Sequence, residues 1–392
     1  VQVNMNMNEI EACELVCDAE FPNICGECNP GECSGNPTAP TPVIPTPTPP
    51  TGGGRPSASF NQALNNQLKS RGLLPYLFDN NSRYSDNQVY IAMTGRVGDK
   101  WVWIDLSNFS VRDMNSNQNT VPGPSGDPTG WRYADIFSPL SSITSNTIGI
   151  PAIASGKMFV SFKNPLYLHF HPNAAVAGFS QPDFNNPTDP NRQIRYETIE
   201  LTWGGRNSNG LWINTSRVDA YQYPMGLEVY GSGVGGNGNY KKVGELKSHN
   251  DIINLWPGRT SGPFQPCYVS NFNNEGDGII KQPSKIPEFK EGGVSENYFQ
   301  SYINQVWNTY RNGKKLKARF GDIGIWEGQV SSNNVFTMTC VSQCPGGAVP
   351  GSIFGVPNTQ EVIEAKGLLA QGGEWDLNVQ KMFSAGFHRH AI

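Results

Sequence analysis

One segment of this chain brings acidic side chains into the company of an indole, amides and hydroxyls. It reads Tyr196-Glu197-Thr198-Ile199-Glu200-Leu201-Thr202-Trp203, then a turn-rich GGRNSNG, then Leu211-Trp212-Ile213-Asn214-Thr215-Ser216-Arg217-Val218-Asp219. Neutral sugars are held by aromatic faces and by fixed polar groups that satisfy their hydroxyls. Glycosidic bonds are cut by two carboxyl groups, one protonated and one ionised. The segment offers three carboxyl groups for that chemistry, Glu197, Glu200 and Asp219.

The elements that would position them follow from period-two alternation. A hairpin whose loop centres on Asn207 sets residue 202 opposite 212 and residue 200 opposite 214. Glu200, Thr202, Trp212, Asn214 and Ser216 then share one surface, while Ile199, Leu201, Ile213 and Thr215 share the other. That separation suits a half-buried sheet with a binding face on one side. Asp219 fits this scheme poorly. It has the wrong parity and lies five residues beyond the partner of Glu200, about 16 Å along an ideal strand. It reaches the same face only if the strand bulges or bends between Ser216 and Asp219, or if the pairing is offset from the simple loop centre.

The chain has 392 residues, 16% of them charged, with a formal net charge of −4. No basic run could track a phosphate backbone, which argues against nucleic acid. No apolar stretch approaches the ~20 residues that span a bilayer, so no membrane partner is expected. The 43 Gly and 30 Pro, with abundant Asn and Ser, imply many turns and a mainly β architecture. Strands are expected at Val89–Met93, Trp101–Leu106, Lys157–Phe162, Tyr167–His171, Ile194–Trp203, Leu211–Val218 and Gly226–Tyr230. Trp101 and Trp103 share a strand face and read either as core or as a sugar-stacking platform. Tyr298, Tyr302, Val306 and Tyr310 recur at helical spacing and mark an amphipathic helix of about five turns. A second helix is expected from Asp376 to His390, with returning strands at Phe336–Cys340 and Glu361–Ala365.

Eight cysteines fall into two odd groups, five between Cys13 and Cys33 and three at Cys267, Cys340 and Cys344. Full oxidation therefore needs a bridge between the groups or to another chain, and otherwise two thiols remain. The first group reads as a disulfide-bonded extracellular knob, although Cys25-x-x-Cys28 could be half of a zinc site. The Pro/Thr-rich stretch after it cannot pack a core and reads as an extended spacer. The expected organisation is a Cys-rich module at 1–35, a linker at 36–56, a β part at 57–230, an α-containing lobe at 231–328, and a return to the β part with a C-terminal helix at 329–392. His169 and His171 lie on one strand face without a third ligand nearby and read as packing. The Gly-rich run from Gly231 to Gly238 lacks the Lys-Ser/Thr of a phosphate loop and reads as a flexible lip. No metal or cofactor is expected.

Several motifs in order resemble glycoside hydrolase family 64, the laminaripentaose-producing β-1,3-glucanases. They are Gln181-Pro182-Asp183, Asn186-Pro187-Thr188-Asp189-Pro190-Asn191, Glu200-Leu201-Thr202, Leu211-Trp212-Ile213-Asn214-Thr215-Ser216-x-Val218-Asp219, Asn358-Thr359-Gln360-Glu361-Val362-Ile363 and Ala385-Gly386-Phe387-His388-Arg389. The resemblance covers nearly all of the chain beyond the linker. It implies a thaumatin-like β-sandwich or barrel with a smaller α/β lobe, a groove between them for a β-1,3-glucan, and a final strand and helix in the two C-terminal motifs. It also implies inverting hydrolysis, with the general acid at Glu200, the general base at Asp219, and sugar contacts at Thr202, Trp212 and Ser216. Ser216 departs from the usual threonine but keeps the hydroxyl, and the 204–210 loop is longer than usual. The expected protein is a secreted, endo-acting β-1,3-glucan hydrolase releasing short oligosaccharides. The rivals are a non-catalytic glucan-binding protein of the same fold and an extracellular structural protein assembled through an intermolecular disulfide.

Overall fold

Long β-branched and aromatic runs bounded by Gly, Asn and Pro favour strands that bury at least one face, and the structure is organised by one such sheet. The structure is a computed structural model that describes residues 61–171, 178–205, 210–231, 240–245, 247–260, 262–319 and 323–388. The expected Cys-rich module and linker lie outside the described residues, as do most of the Gly-rich run and residues 206–209. The described residues divide into two units, one ending at Lys285 and one beginning at Ile286.

The first unit holds a seven-stranded antiparallel sheet. Its strands are β1 (Val89–Val97), β2 (Lys100–Asp105), β3 (Ser110–Asp113), β4 (Ser138–Pro139), β5 (Ile153–Phe162), β6 (Tyr196–Trp203) and β7 (Leu211–Ser216). The order is β7-β6-β5-β1-β2-β3, with β4 also pairing to β1. Strict alternation gives the sheet two working faces. On one, Ile91, Met93, Val102, Ile104, Met158, Val160, Ile199 and Leu201 form the larger core cluster. On the other, Ala92, Phe159 and Tyr196 pack under Leu168, Phe170 and Phe179 from the short pairs that lie beyond this sheet. Trp101 and Trp103 are partly buried against that second cluster, which favours their reading as core.

The sheet carries a bulge where its functional face emerges. Leu201 pairs with Gly156 but Trp203 pairs with Ile153, and on the far side of β5 the register also shifts between Thr94 and Arg96. Ser155 sits inside this irregularity with φ 48°, in the left-handed region. Its amide, released from the ladder, donates to Thr202 Oγ1 at 3.1 Å. Gly156 follows because a Cβ there would press on the Leu201 carbonyl.

The second unit is a four-stranded antiparallel sheet of β8 (Leu316–Arg319), β9 (Ile325–Val330), β10 (Phe336–Ser342) and β11 (Gly351–Ile353) in chain order. Its helices are Gln300–Arg311, Thr359–Glu364 and Glu374–His388. Trp307, Trp326, Phe336 and Phe383 are fully buried in its core. The edge strand β11 is protected by the last helix: Asp376 accepts from the Ser352 amide at 2.8 Å, and Gln380 donates to the Ser352 carbonyl at 2.9 Å. Cys340 and Cys344 form a disulfide. Cys267, in the first unit, is buried.

Three expectations are corrected. The boundaries at 231–328 and 329–392 do not follow the strand pairing. Tyr240–Gly244 pairs back onto Gly226–Tyr230, and Ile279–Lys281 pairs with Ala220–Tyr221, so the chain through Lys285 stays in the first unit. Residues from Phe336 onward join β9 and β11 in a sheet of their own. A Gly-rich run has no side chains to pack and so reads as a boundary, yet the strands flanking it pair with each other. Glu361–Ala365 is not a strand: Thr359–Glu364 is helical, because Asn358 and Glu361 form a reciprocal capping box. The aromatic helix, Gln300–Arg311, has 12 residues and is shorter than five turns.

Candidate active site

The hairpin pairs Glu200 with Asn214, Thr202 with Trp212 and Thr198 with Ser216. On the other side of β6, Glu200 faces Lys157 of β5, which in turn faces Thr94 of β1. The sheet therefore sets Thr94, Lys157, Glu200 and Asn214 in one cross-strand row. Trp212 is 41% exposed and Ser216 only 3% exposed. Ser216 thus contributes to the wall of a cleft rather than to the open sheet surface, and its carbonyl accepts from Thr198 Oγ1 at 3.2 Å. Thr202 has a structural task besides any contact with sugar, since its hydroxyl oxygen receives the bulge amide of Ser155.

Asp219 reaches this face by the bend that its parity demanded. β7 ends at Ser216 and the chain bends at Val218 and Asp219 before Ala220–Tyr221 begins to pair with Ile280 and Lys281. The Asp219 carboxylate accepts from Tyr196 Oη at 3.2 Å and lies 3.1 Å from Lys285 Nζ. Its backbone carbonyl takes the Gln282 amide at 2.8 Å. Tyr196 is on β6, an even number of residues before Glu200, so its hydroxyl anchors Asp219 to the face that Glu200 occupies. Burial chiefly, with the Asp219 charge adding, pushes the Tyr196 hydroxyl well above its ordinary value, so it stays a donor. Lys157, Phe159, Gln181, Tyr196, Ser216 and Asp219 are among the residues lining one cleft.

Lys157 is the cation of this cleft. Its Nζ donates to Gln181 Oε1 at 2.7 Å and lies 3.9 Å from Glu200 Oε1, inside Coulomb reach but too long for a hydrogen bond. The ammonium sits 5.7 Å from the centre of the Phe159 ring. Burial lowers the Lys157 pKa, while the charges of Glu200 and Asp219 both act to raise it.

Glu197 has a different task. It is 1% exposed on the opposite face and its Oε1 accepts from the amides of Gln222 and Tyr223 at 2.8 and 2.7 Å. Arg217 Nη1 stands 3.0 Å from its other oxygen. Burial pushes this carboxyl up to about 8 against the pull of Arg217 and the two amides. Glu197 thereby clasps the two ends of the segment that carries Asp219.

The Asn186-to-Asn191 motif is also structural. Asp189 accepts from the amides of Asp183 and Asn191, and Asn191 bonds both the amide and the carbonyl of Tyr167. These bonds tie down the loop that delivers Gln181 and Pro182 to the cleft. His169 stacks on Trp131 and His171 meets the same ring edge-on, and their ring nitrogens lie near the Arg132 carbonyl and Ser180 Oγ. Sequence reasoning missed Lys157, Tyr196, Gln181 and Lys285 as site residues. Lys157 left a signal, a charge inside the apolar run Lys157–Phe162, and Gln181 stood in a quoted motif. Lys285 arrives from a short turn 66 residues beyond Asp219 and left none.

The chain belongs to glycoside hydrolase family 64: the family model, described as beta-1,3-glucanase, matches residues 72–392. Glucan endo-1,3-beta-glucosidases of Cellulosimicrobium cellulans and of Arthrobacter sp. (strain YCWD3) are each 24% identical to it, over 185 and 176 residues. Those matches cover 45% and 43% of this chain but only 29% and 28% of the relatives, so the chain spans less than a third of their length. The crystal structure of a beta-1,3-glucanase domain (GH64) from Clostridium beijerinckii is 28% identical, with a TM-score of 0.66 over 82% of this chain and 81% of that one.

Proposed function

We propose that this chain is a secreted, endo-acting β-1,3-glucan hydrolase that works with inversion. The observation that supports the reading is that Glu200, 3.9 Å from the Lys157 ammonium, and Asp219, held by Tyr196 of the same strand, both act on Lys157 in a chain of family 64. In this reading Glu200 gives its proton to the glycosidic oxygen as the bond to C1 breaks, and the bond electrons stay with that oxygen. Asp219 takes a proton from the water that attacks C1 on the opposite sugar face. Trp212 offers a ring to a sugar, and Thr202, Asn214 and Ser216 offer hydroxyl and amide groups. The thaumatin-like assignment of the β unit belongs to the same proposal and is supported by its two-layered packing around one large sheet. Secretion is supported by the Cys340–Cys344 disulfide and the Pro/Thr-rich spacer.

Proton NMR of a laminarin digest tests the mechanism. Inversion of a β linkage gives α-anomeric reducing ends first, and β-anomers appearing first contradict it. The non-catalytic rival predicts binding to laminarin with no new reducing ends at all.

A further inference from the structure

Lys157 has no role in the paired-carboxylate mechanism as usually written, yet its ammonium lies 3.9 Å from Glu200 Oε1. Its position is built rather than incidental. The strand register fixes it directly across from Glu200, Gln181 holds its ammonium at 2.7 Å, and the Phe159 ring lies beneath it. The charged groups that face it are Glu200 from β6 and Asp219 from the bend after β7, with Lys285 behind Asp219. Its partner on β1 is the uncharged Thr94, and Arg96 farther along turns its guanidinium over Trp101. Tyr196 lines the same cleft as a neutral donor.

We infer that Lys157 is a positioning residue that acts through Glu200, stabilising the carboxylate that Glu200 becomes when it gives up its proton. The inference rests on the proposed hydrolysis. As the C1–oxygen bond breaks, the Glu200 proton moves to the leaving oxygen and negative charge appears on the Glu200 carboxyl. A fixed ammonium beside that carboxyl is worth more in the transition state than in the ground state, which is the condition for raising turnover. The same charge also makes the Glu200 proton easier to lose to solvent, so it limits activity on the alkaline side. A faster acid and an earlier alkaline decline come from one interaction and must change together.

The test compares Lys157→Met and Lys157→Arg with the wild-type chain on soluble laminarin across pH, with melting curves to check folding. Lys157→Met is expected to lower kcat by about tenfold to a hundredfold with little change in KM, and to move the alkaline limb up by about one pH unit. Lys157→Arg should keep the limb where it is. An unmoved limb, an equal effect of both variants, or a loss confined to KM would overturn the inference. Should Lys157→Met not fold, Gln181→Leu loosens the ammonium from an exposed position and should move the limb in the same direction by less; no movement counts against the inference. Carbon-13 NMR titration of the Glu200 carboxyl in wild type and variant reads the coupling without turnover. If the wild type cuts nothing, the proposed function fails, and the titration still decides whether Lys157 governs the Glu200 proton.

Discussion

Glu197 and Glu200 stand three residues apart on one strand, and the pleat sends them to opposite faces with opposite tasks. Glu200 is partly exposed beside Lys157, whereas Glu197 is buried and clasps the segment that carries Asp219. Glu200→Gln and Asp219→Asn should each cut laminarin turnover by at least about a hundredfold while binding persists. Glu197→Gln should leave most turnover, because its amide oxygen can still accept from Gln222 and Tyr223 and the shape is kept. A reversed pattern would reassign the acid. Glu197 also carries a stability signature. Its folded pKa of about 8 lies above the ordinary carboxyl value, so its contribution is present in full in mild acid and is lost as pH rises through about 8. His249, held low chiefly by burial, works in the other direction within that window, since its contribution is lost as pH falls. The readout is therefore the difference between proteins: between pH 5 and 8 the melting temperature of wild type should fall relative to that of Glu197→Gln. The faces of Glu197 and Glu200 were legible from alternation alone. The electrostatic company of Glu200 was not, because Lys157 meets it only through strand pairing across 43 positions of chain.

At the scale of elements, the hairpin register could be read because a turn-rich loop and a strict polar–apolar alternation admit one pairing. The parity of Asp219 called for a bend after Ser216 or an offset pairing, and the chain bends at Val218 and Asp219 with the hairpin register unshifted. The capping box at Asn358 and Glu361 was visible as a spacing, and the apolar residues beside it were read as a strand instead. Longer-range ionic contacts left no local mark. Arg195 is 1% exposed, with Nη2 2.7 Å from Asp277 Oδ1, Nε 3.4 Å from Glu275 Oε2, and the rings of Tyr223 and Phe272 against its guanidinium. Arg83 pairs with both of these carboxylates and Lys163 with Glu275. Removing one partner of such a buried set leaves charge uncompensated. Arg195→Met is expected to cost about 3–5 kcal/mol in denaturant titration, and a loss below about 1 kcal/mol would show that the network is not a structural hub.

For the whole molecule, a mainly β architecture was legible in composition, because strands that bury a face need β-branched and aromatic residues set between turns. The division at Lys285 was not, because it depends on which strands pair rather than on what they contain. The family match begins at residue 72, beyond the spacer. A chain beginning at Ser57 should therefore keep the melting temperature and the soluble-laminarin turnover of the full chain, with any loss confined to insoluble glucan. Loss of soluble turnover would place necessary contacts in the first 56 residues. Chromatography of the products formed from laminarin by the full chain over time decides whether the chain is a hydrolase. Short laminari-oligosaccharides are expected from the earliest time points, and at least about a hundredfold less of them when Glu200→Gln replaces the wild type. Undiminished polymer alongside clear binding would contradict that expectation and make the chain a glucan-binding protein instead.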